Sequence, residues 1–169
     1  LPETKNGKRH EVWLSDFALQ QLKSLHENTG LTPWLFPSAH ARTDQPDFAD
    51  HVCVKTVTKQ VGDRQRHGAA PMRGRSKDVD ALVLPGGKWT PHDLRRTAAT
   101  TMAELGALPD VVEKCLNHAE VGKVKRIYQR AQYEGPMRDA WTLLGERLAL
   151  LQDMADGRVS KVVALQRGR

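Results

Sequence analysis

Cysteine is scarce in this chain: of 169 residues only Cys53 and Cys115 are of this type. They are too few and too far apart for a disulfide framework or a zinc-ligand spacing, and both are expected to be reduced and packed in a core. The acids are scattered along the sequence, so no carboxylate cluster calls for a metal, and none is expected. Aromatic residues make up 5% of the chain, with Tyr128 and Tyr133 as the two tyrosines. No apolar run reaches the roughly 18 residues of a membrane span, and no signal peptide opens the chain. A soluble, cytoplasmic protein with no membrane partner is the expectation. Acid is also the minority charge, 20 Asp and Glu against 26 Lys and Arg, which leaves a formal net charge of +6. Such an excess favours a polyanionic partner, because Lys and Arg neutralise phosphates and release their counterions.

What is present suits one globular domain: 39% of residues are hydrophobic and 27% charged, over a length that buries a core without staples. The expected division is a domain over residues 1–156 and a basic, amphipathic tail over residues 157–169. Asn6-Gly7 lies between short segments that read as a β-hairpin, with Val12 and Leu14 alternating against Glu11 and Trp13. Ser15 is placed to cap a helix striped by Phe17, Ala18, Leu22 and Leu25 and ending near Gly30. Trp34 to Pro37 reads as a core-docked loop or short strand, and Asp47 to Gln60 as a further helix. Residues 62–87 carry many basic residues with Gly and Pro and little periodicity, the pattern of a surface loop.

Punctuation is clearest from Thr90 onward. Thr90 is an N-cap candidate, Pro91 a first helical residue, Asp93 the partner in a capping box and Gly106 a stop. Pro109 to Leu116 predicts a short helix with Val111, Val112 and Cys115 or Leu116 facing the core. Pro136 to Met154 predicts a long one, its apolar stripe built from Met137, Ala140, Trp141, Leu144, Leu148 and Leu151. The fold class is therefore mainly α with a small antiparallel hairpin or sheet.

Most histidines here, His10, His26, His40, His51 and His67, read as ordinary core or surface residues. His92 and His118 differ in their company. His92 stands three residues before Arg95, so the two share a face at a helix start, where the dipole favours an anion. His118 ends a helix in Leu-Asn-His, and ten residues later Tyr128 sits among Lys123, Lys125, Arg126 and Arg130. This set fits attack by a phenol on a phosphodiester. A phenol has a pKa of about 10 in water, so it needs a base and cations to attack at neutral pH. Arg95 offers a planar fork for the non-bridging oxygens, His92 a base and His118 a donor, while a mobile lysine can protonate the departing oxygen.

The residues His-Asp-Leu-Arg-Arg-Thr at 92–97, Leu-Asn-His at 116–118 and a tyrosine ten further on resemble the catalytic domain of tyrosine recombinases, the phage integrase family. The hairpin Lys-Asn-Gly-Lys-Arg-His-Glu-Val-Trp-Leu-Ser at 5–15 is similar to that of integrases of prophages and genomic islands. The resemblance implies Tyr128 as nucleophile, Arg95 and His92 as the His-x-x-Arg pair, His118 as the later histidine and Lys5 as the hairpin lysine. It implies the integrase catalytic fold, no cofactor, and double-stranded attachment sites bound by a tetramer in a bacterial cytoplasm, at the nucleoid. It also implies strand cleavage through a 3'-phosphotyrosine, in the service of integrating or excising a viral or other mobile element. The expected contacts to DNA are Arg64, Arg66, Arg73, Arg75, Lys77, Arg96, Lys123, Lys125 and Arg126. The family's first catalytic arginine lies upstream of the hairpin, so this stretch alone is expected to cleave weakly or not at all. The competing classes are a type IB topoisomerase-like enzyme and a DNA-binding module without chemistry.

Overall fold

The computed structural model describes residue 4 and residues 9–38, 51–118 and 133–159. Among them are five helices and no sheet: α1 (Asp16–Thr29), α2 (Val54–Asp63), α3 (Pro91–Glu104), α4 (Pro109–Cys115) and α5 (Glu134–Ala155). None of these helices is long and apolar enough to cross a membrane. The expected hairpin is not shown. Its turn at Asn6-Gly7 lies outside the described residues, and residues 9–15 carry no strand pairing. Val12, Trp13 and Leu14 are 41%, 49% and 47% exposed, so the predicted alternation of buried and exposed positions is absent. Side-chain packing places this segment instead, with the Arg138 guanidinium lying 5.3 Å from the centre of the Trp13 ring. The strand-like pairing seen among the described residues is an isolated antiparallel bridge between Pro37 and His51.

The chain forms two compact units, one from residues 1–21 and 98–169, the other from residues 22–97. In the first, Met102 of α3, Val111, Val112 and Cys115 of α4, Leu116, and Ala140 and Leu144 of α5 form the buried core. Each large apolar side chain removed from water there contributes about 1.5–3 kcal/mol. Both Cys115 and Leu116 face inward, so the short helix after Pro109 buries one more residue than its spacing required. The stripe of α5 is buried only in part: Ala140 and Leu144 are inside, whereas Leu148 and Leu151 are 40% and 44% exposed. Helical spacing marks a face, and among the described residues the helix that packs on α5 is α4.

Ser15 ties α1 to this unit. Its Oγ accepts the Ala18 N–H at 3.3 Å, capping the helix as its position predicts. The same side chain rests against Gly145 of α5, so closely that a Cβ at position 145 would overlap Ser15 Oγ and Cβ. This contact accounts for a glycine in the middle of a long helix, where alanine is ordinarily better by about 1 kcal/mol. Gly145→Ala is therefore expected to lower the midpoint of thermal unfolding, against the helix-propensity trend. A raised midpoint would show that Ser15 yields freely.

In the second unit, α2 starts at Val54, later than the predicted Asp47, and continues past Gln60 to Asp63; residues 39–50 lie outside the described part. Trp34, Leu35 and Phe36 are 40%, 51% and 53% exposed, so this apolar run is not docked in a core. Trp34 instead meets His51 edge to face, with ring centres 4.7 Å apart. Cys53 is exposed, unlike Cys115, because it precedes α2 rather than facing a neighbouring helix.

The segment after α2 has no regular structure, yet it is tied down. Asp63 and Gln65, only 1% and 5% exposed, are the anchors. Buried polar groups are costly unless bonded, and these are bonded across long stretches of chain. Arg75 clasps the Asp63 carboxylate, its Nε donating to Oδ2 at 2.8 Å and its Nη2 pairing with Oδ1. The Arg66 N–H reaches Val79 O at 2.8 Å, and the Leu82 N–H reaches Arg64 O at 3.0 Å. A loop by sequence pattern is here a pinned structure.

Candidate active site

The start of α3 is built by its own first residues. Pro91 opens the helix, and its ring fixes φ near the helical value at a position that has no N–H to satisfy. The Asp93 carboxylate reaches back one turn, where its Oδ2 accepts the Thr90 N–H at 2.9 Å and the Thr90 hydroxyl at 2.8 Å. Asp93 Oδ1 takes Arg96 Nη1 at 3.0 Å. This is half of the expected capping box, because the threonine hydroxyl donates to the carboxylate and the Asp93 N–H goes to the Thr90 carbonyl at 2.9 Å. The Thr90 bonds, joined by Arg96, hold the Asp93 carboxyl below the usual carboxylate range. The contact therefore favours the fold above that range and is lost as the pH falls through the lowered value. His92 and Arg95, one turn apart on this helix, are both exposed.

His118 owes its place to the end of α4. Asn117 takes a positive φ of 52°, the left-handed conformation that asparagine tolerates better than most residues. That turn lets the Asn117 N–H bond Lys114 O and the His118 N–H bond Glu113 O, each at 3.0 Å. The pattern is a Schellman cap with histidine just past the left-handed residue. Glu113 then holds the same residue a second time, since its Oε2 lies 2.6 Å from His118 Nδ1. With the proton of Nδ1 committed to the carboxylate, Nε2 is the nitrogen left to meet a ligand. The sequence Leu-Asn-His thus has a local physical meaning: asparagine makes the turn that presents the ring.

Two features separate Cys115 from this chemistry. It is buried beside α5, with Sγ 3.8 Å from Met137 O. Burial also pushes its thiol up to about 11, so it stays protonated and inert at neutral pH.

Of the residues expected to act on a phosphodiester, the helix brings His92 and Arg95 together in the unit of residues 22–97, while His118 belongs to the other unit. Tyr128 and Lys5 lie outside the described residues, as do Lys123, Lys125 and Arg126. Among the other basic candidates, Arg73 and Lys77 are exposed on the segment after α2. Arg64 is half-buried and bonds Gln60, its Nη1 donating to the backbone carbonyl at 3.1 Å and also to the side-chain Oε1. Arg66 is half-buried, Arg75 is engaged by Asp63 and Arg96 by Asp93. Three side chains that organise these groups carried no local signal in the sequence: Glu113, Asp63 and Gln65. Glu113 stands five residues before His118 and becomes its neighbour only because of the left-handed turn.

The chain presents His-x-x-Arg at one helix start and a carboxylate-held histidine at a helix end, and comparison with known proteins gives it a family. The chain belongs to the Phage integrase family, whose pattern matches residues 1–135. It is similar to the prophage integrase IntA of Escherichia coli strain K12, 29% identical over 140 residues, which is 81% of this chain and 28% of that protein. The chain thus spans little more than a quarter of the length of this curated relative. No solved structure matches it.

Proposed function

We propose that this chain carries part of the catalytic machinery of a site-specific DNA recombinase. The carrying observation is that, inside the integrase match, the first turns of α3 present His92 and Arg95 one turn apart and exposed. The Tyr128 hydroxyl gives its proton to His92, and its oxygen attacks the phosphorus of one DNA strand. The new bond is a 3'-phosphotyrosine, and the broken one is the bond from phosphorus to the 5'-oxygen, which leaves as a hydroxyl after taking a proton from Lys5. Arg95 spreads its fork over the non-bridging oxygens, and His118, oriented by Glu113 and carrying a proton on each ring nitrogen, donates from Nε2 to one of them. Rejoining is the reverse, with a 5'-hydroxyl from the partner duplex as nucleophile. Bond energy is kept in the phosphotyrosine, so the cycle runs without a nucleotide cofactor.

On this proposal Arg73 and Lys77 contact the DNA backbone from the segment after α2, and Arg64, Arg66, Arg96, Lys123, Lys125 and Arg126 are further DNA contacts. Arg75, clasped by Asp63, serves chiefly by ordering the segment that presents its neighbours. Two attachment sites are held by a tetramer at the bacterial nucleoid, with the tail of residues 157–169 as the link between copies and integration or excision of a mobile element as the outcome.

The test uses the full gene product and a nicked suicide duplex, in which the cleaved strand cannot rejoin. The unchanged protein forms a covalent DNA adduct. Tyr128→Phe binds the same duplex with equal affinity and forms none. An adduct of undiminished yield from the phenylalanine variant would exclude the mechanism. Binding without an adduct from either protein would favour a DNA-binding module.

A further inference from the structure

We propose that Gln65 is a positioning residue for His92 and Arg95, acting through Trp89, an inference that rests on the recombinase function above. Gln65 lies just past α2 and is 5% exposed. Its side-chain amide is spent on one distant residue. Gln65 Nε2 donates to Trp89 O at 2.8 Å, and the Trp89 N–H donates to Gln65 Oε1 at 2.8 Å, across 24 positions of sequence. A second donation from Nε2 goes to Val61 O at 3.3 Å. The two bonds to Trp89 form a closed ring, so the amide grips both polar groups of one backbone residue as a neighbouring strand would. Such a pair resists rotation of the Trp89 main chain in a way that a single bond does not.

Trp89 is also held by its side chain. The indole Nε1–H donates to Leu82 O at 2.9 Å, and the Leu82 N–H returns to Arg64 O at 3.0 Å. The circuit runs from Gln65 to Trp89 to Leu82 and back to Arg64, the residue beside Gln65. All of it lies in the unit of residues 22–97, as do His92 and Arg95.

What lies between the circuit and the two exposed side chains has little freedom. Thr90 is fixed at its N–H and its hydroxyl by Asp93. Pro91 locks its own φ, and from there the helix sets the geometry. The placement of Trp89 is therefore handed on to His92 and Arg95 with no flexible joint. Neither the circuit nor the cap touches the phosphate; their part is to keep the base and the fork where the phosphate will be. A misplacement of about 1 Å at such groups costs on the order of 10²-fold in rate.

The experiment compares the full gene product with Gln65→Met, which keeps the side-chain volume and loses its hydrogen bonds, and with Trp89→Phe, which loses the bond to Leu82 and part of the indole volume but keeps both main-chain bonds to Gln65. Three quantities are read: DNA affinity, the single-turnover rate of adduct formation on saturating suicide duplex, and amide hydrogen exchange over residues 89–96. Gln65→Met is expected to slow adduct formation by about 10²-fold, with affinity unchanged, exchange over residues 89–96 accelerated, and exchange in α4 and α5 as before. Trp89→Phe is expected to slow it roughly fivefold, as for one lost bond. Where Gln65→Met raises exchange everywhere, Trp89→Phe decides the matter. An adduct rate equal to the parent's in a variant that keeps its fold, or unaltered exchange at residues 89–96, overturns the positioning role and leaves the recombinase function standing. A parent protein that forms no adduct overturns that function and this inference with it.

Discussion

Arg95→Lys is expected to slow formation of the phosphotyrosine adduct by about 10²-fold while DNA affinity stays close to that of the parent. Lysine keeps the positive charge and most of the reach, so attraction to the phosphate backbone is retained. What it loses is the planar pair of donors that matches two non-bridging oxygens at once. Removing one well-placed donor to a developing oxyanion commonly costs about 10²–10³-fold. Single-turnover cleavage at saturating protein separates the two effects, because affinity no longer enters the rate. An unchanged rate would mean that charge at position 95 is sufficient, and the fork would have no part in the chemistry. The substitution is also mild for the fold, since Arg95 is exposed on α3.

Met102→Ala acts at the opposite pole of the same helix. Met102 is 0% exposed and sits in the core formed with Val111, Val112, Cys115, Leu116, Ala140 and Leu144. Truncating a buried methionine to alanine costs about 2–5 kcal/mol, the lost transfer energy plus the cavity left behind. Domains of this kind have a total stability of about 5–15 kcal/mol, so the change removes a large part of it. Denaturant unfolding of the variant measures the loss. Leu148→Ala is the informative control, since Leu148 belongs to the same apolar pattern in the sequence yet is 40% exposed; its cost is expected to stay below about 1 kcal/mol. Equal losses for the two variants would mean that the core extends along α5 beyond Leu144.

Sequence pattern reached furthest where the determinants are local. The bounds of α3 follow from Pro91 at its start and Gly106 at its end, where φ is 94°. Ser15 caps α1 as its position implied, and α4 and α5 lie within two residues of their predicted bounds. Pattern failed where partners are distant. The periodicity of α5 promised burial as far as Leu151, but burial depends on what stands opposite. The end of α2 is set with Asp63 tied to Arg75, and the irregular segment that follows is pinned by Gln65 on Trp89. No spacing rule joins residues 24 apart in a stretch without regular structure, so a pinned segment read as a plain loop.

The candidate site divides in the same way. His92 with Arg95 and Leu-Asn-His were legible because a helix start and a helix end each place their residues by local geometry. Glu113 was not legible, although the turn at Asn117 brings both its backbone carbonyl and its carboxylate to His118. A helix-ending asparagine followed by histidine, with an acid five residues before it, is a signal that would find such a pair again.

The central claim is that Tyr128, one of two tyrosines in this chain, becomes bonded to the 3'-phosphate of DNA. Trapping the full gene product on a nicked suicide duplex, digesting the adduct with trypsin and nuclease, and sequencing the modified peptide by mass spectrometry tests it directly. The predicted product is the peptide Ile127-Tyr128-Gln129-Arg130 with a nucleotide joined through the Tyr128 oxygen. A nucleotide on the peptide that holds Tyr133, on a serine, or on no residue of this chain would contradict it.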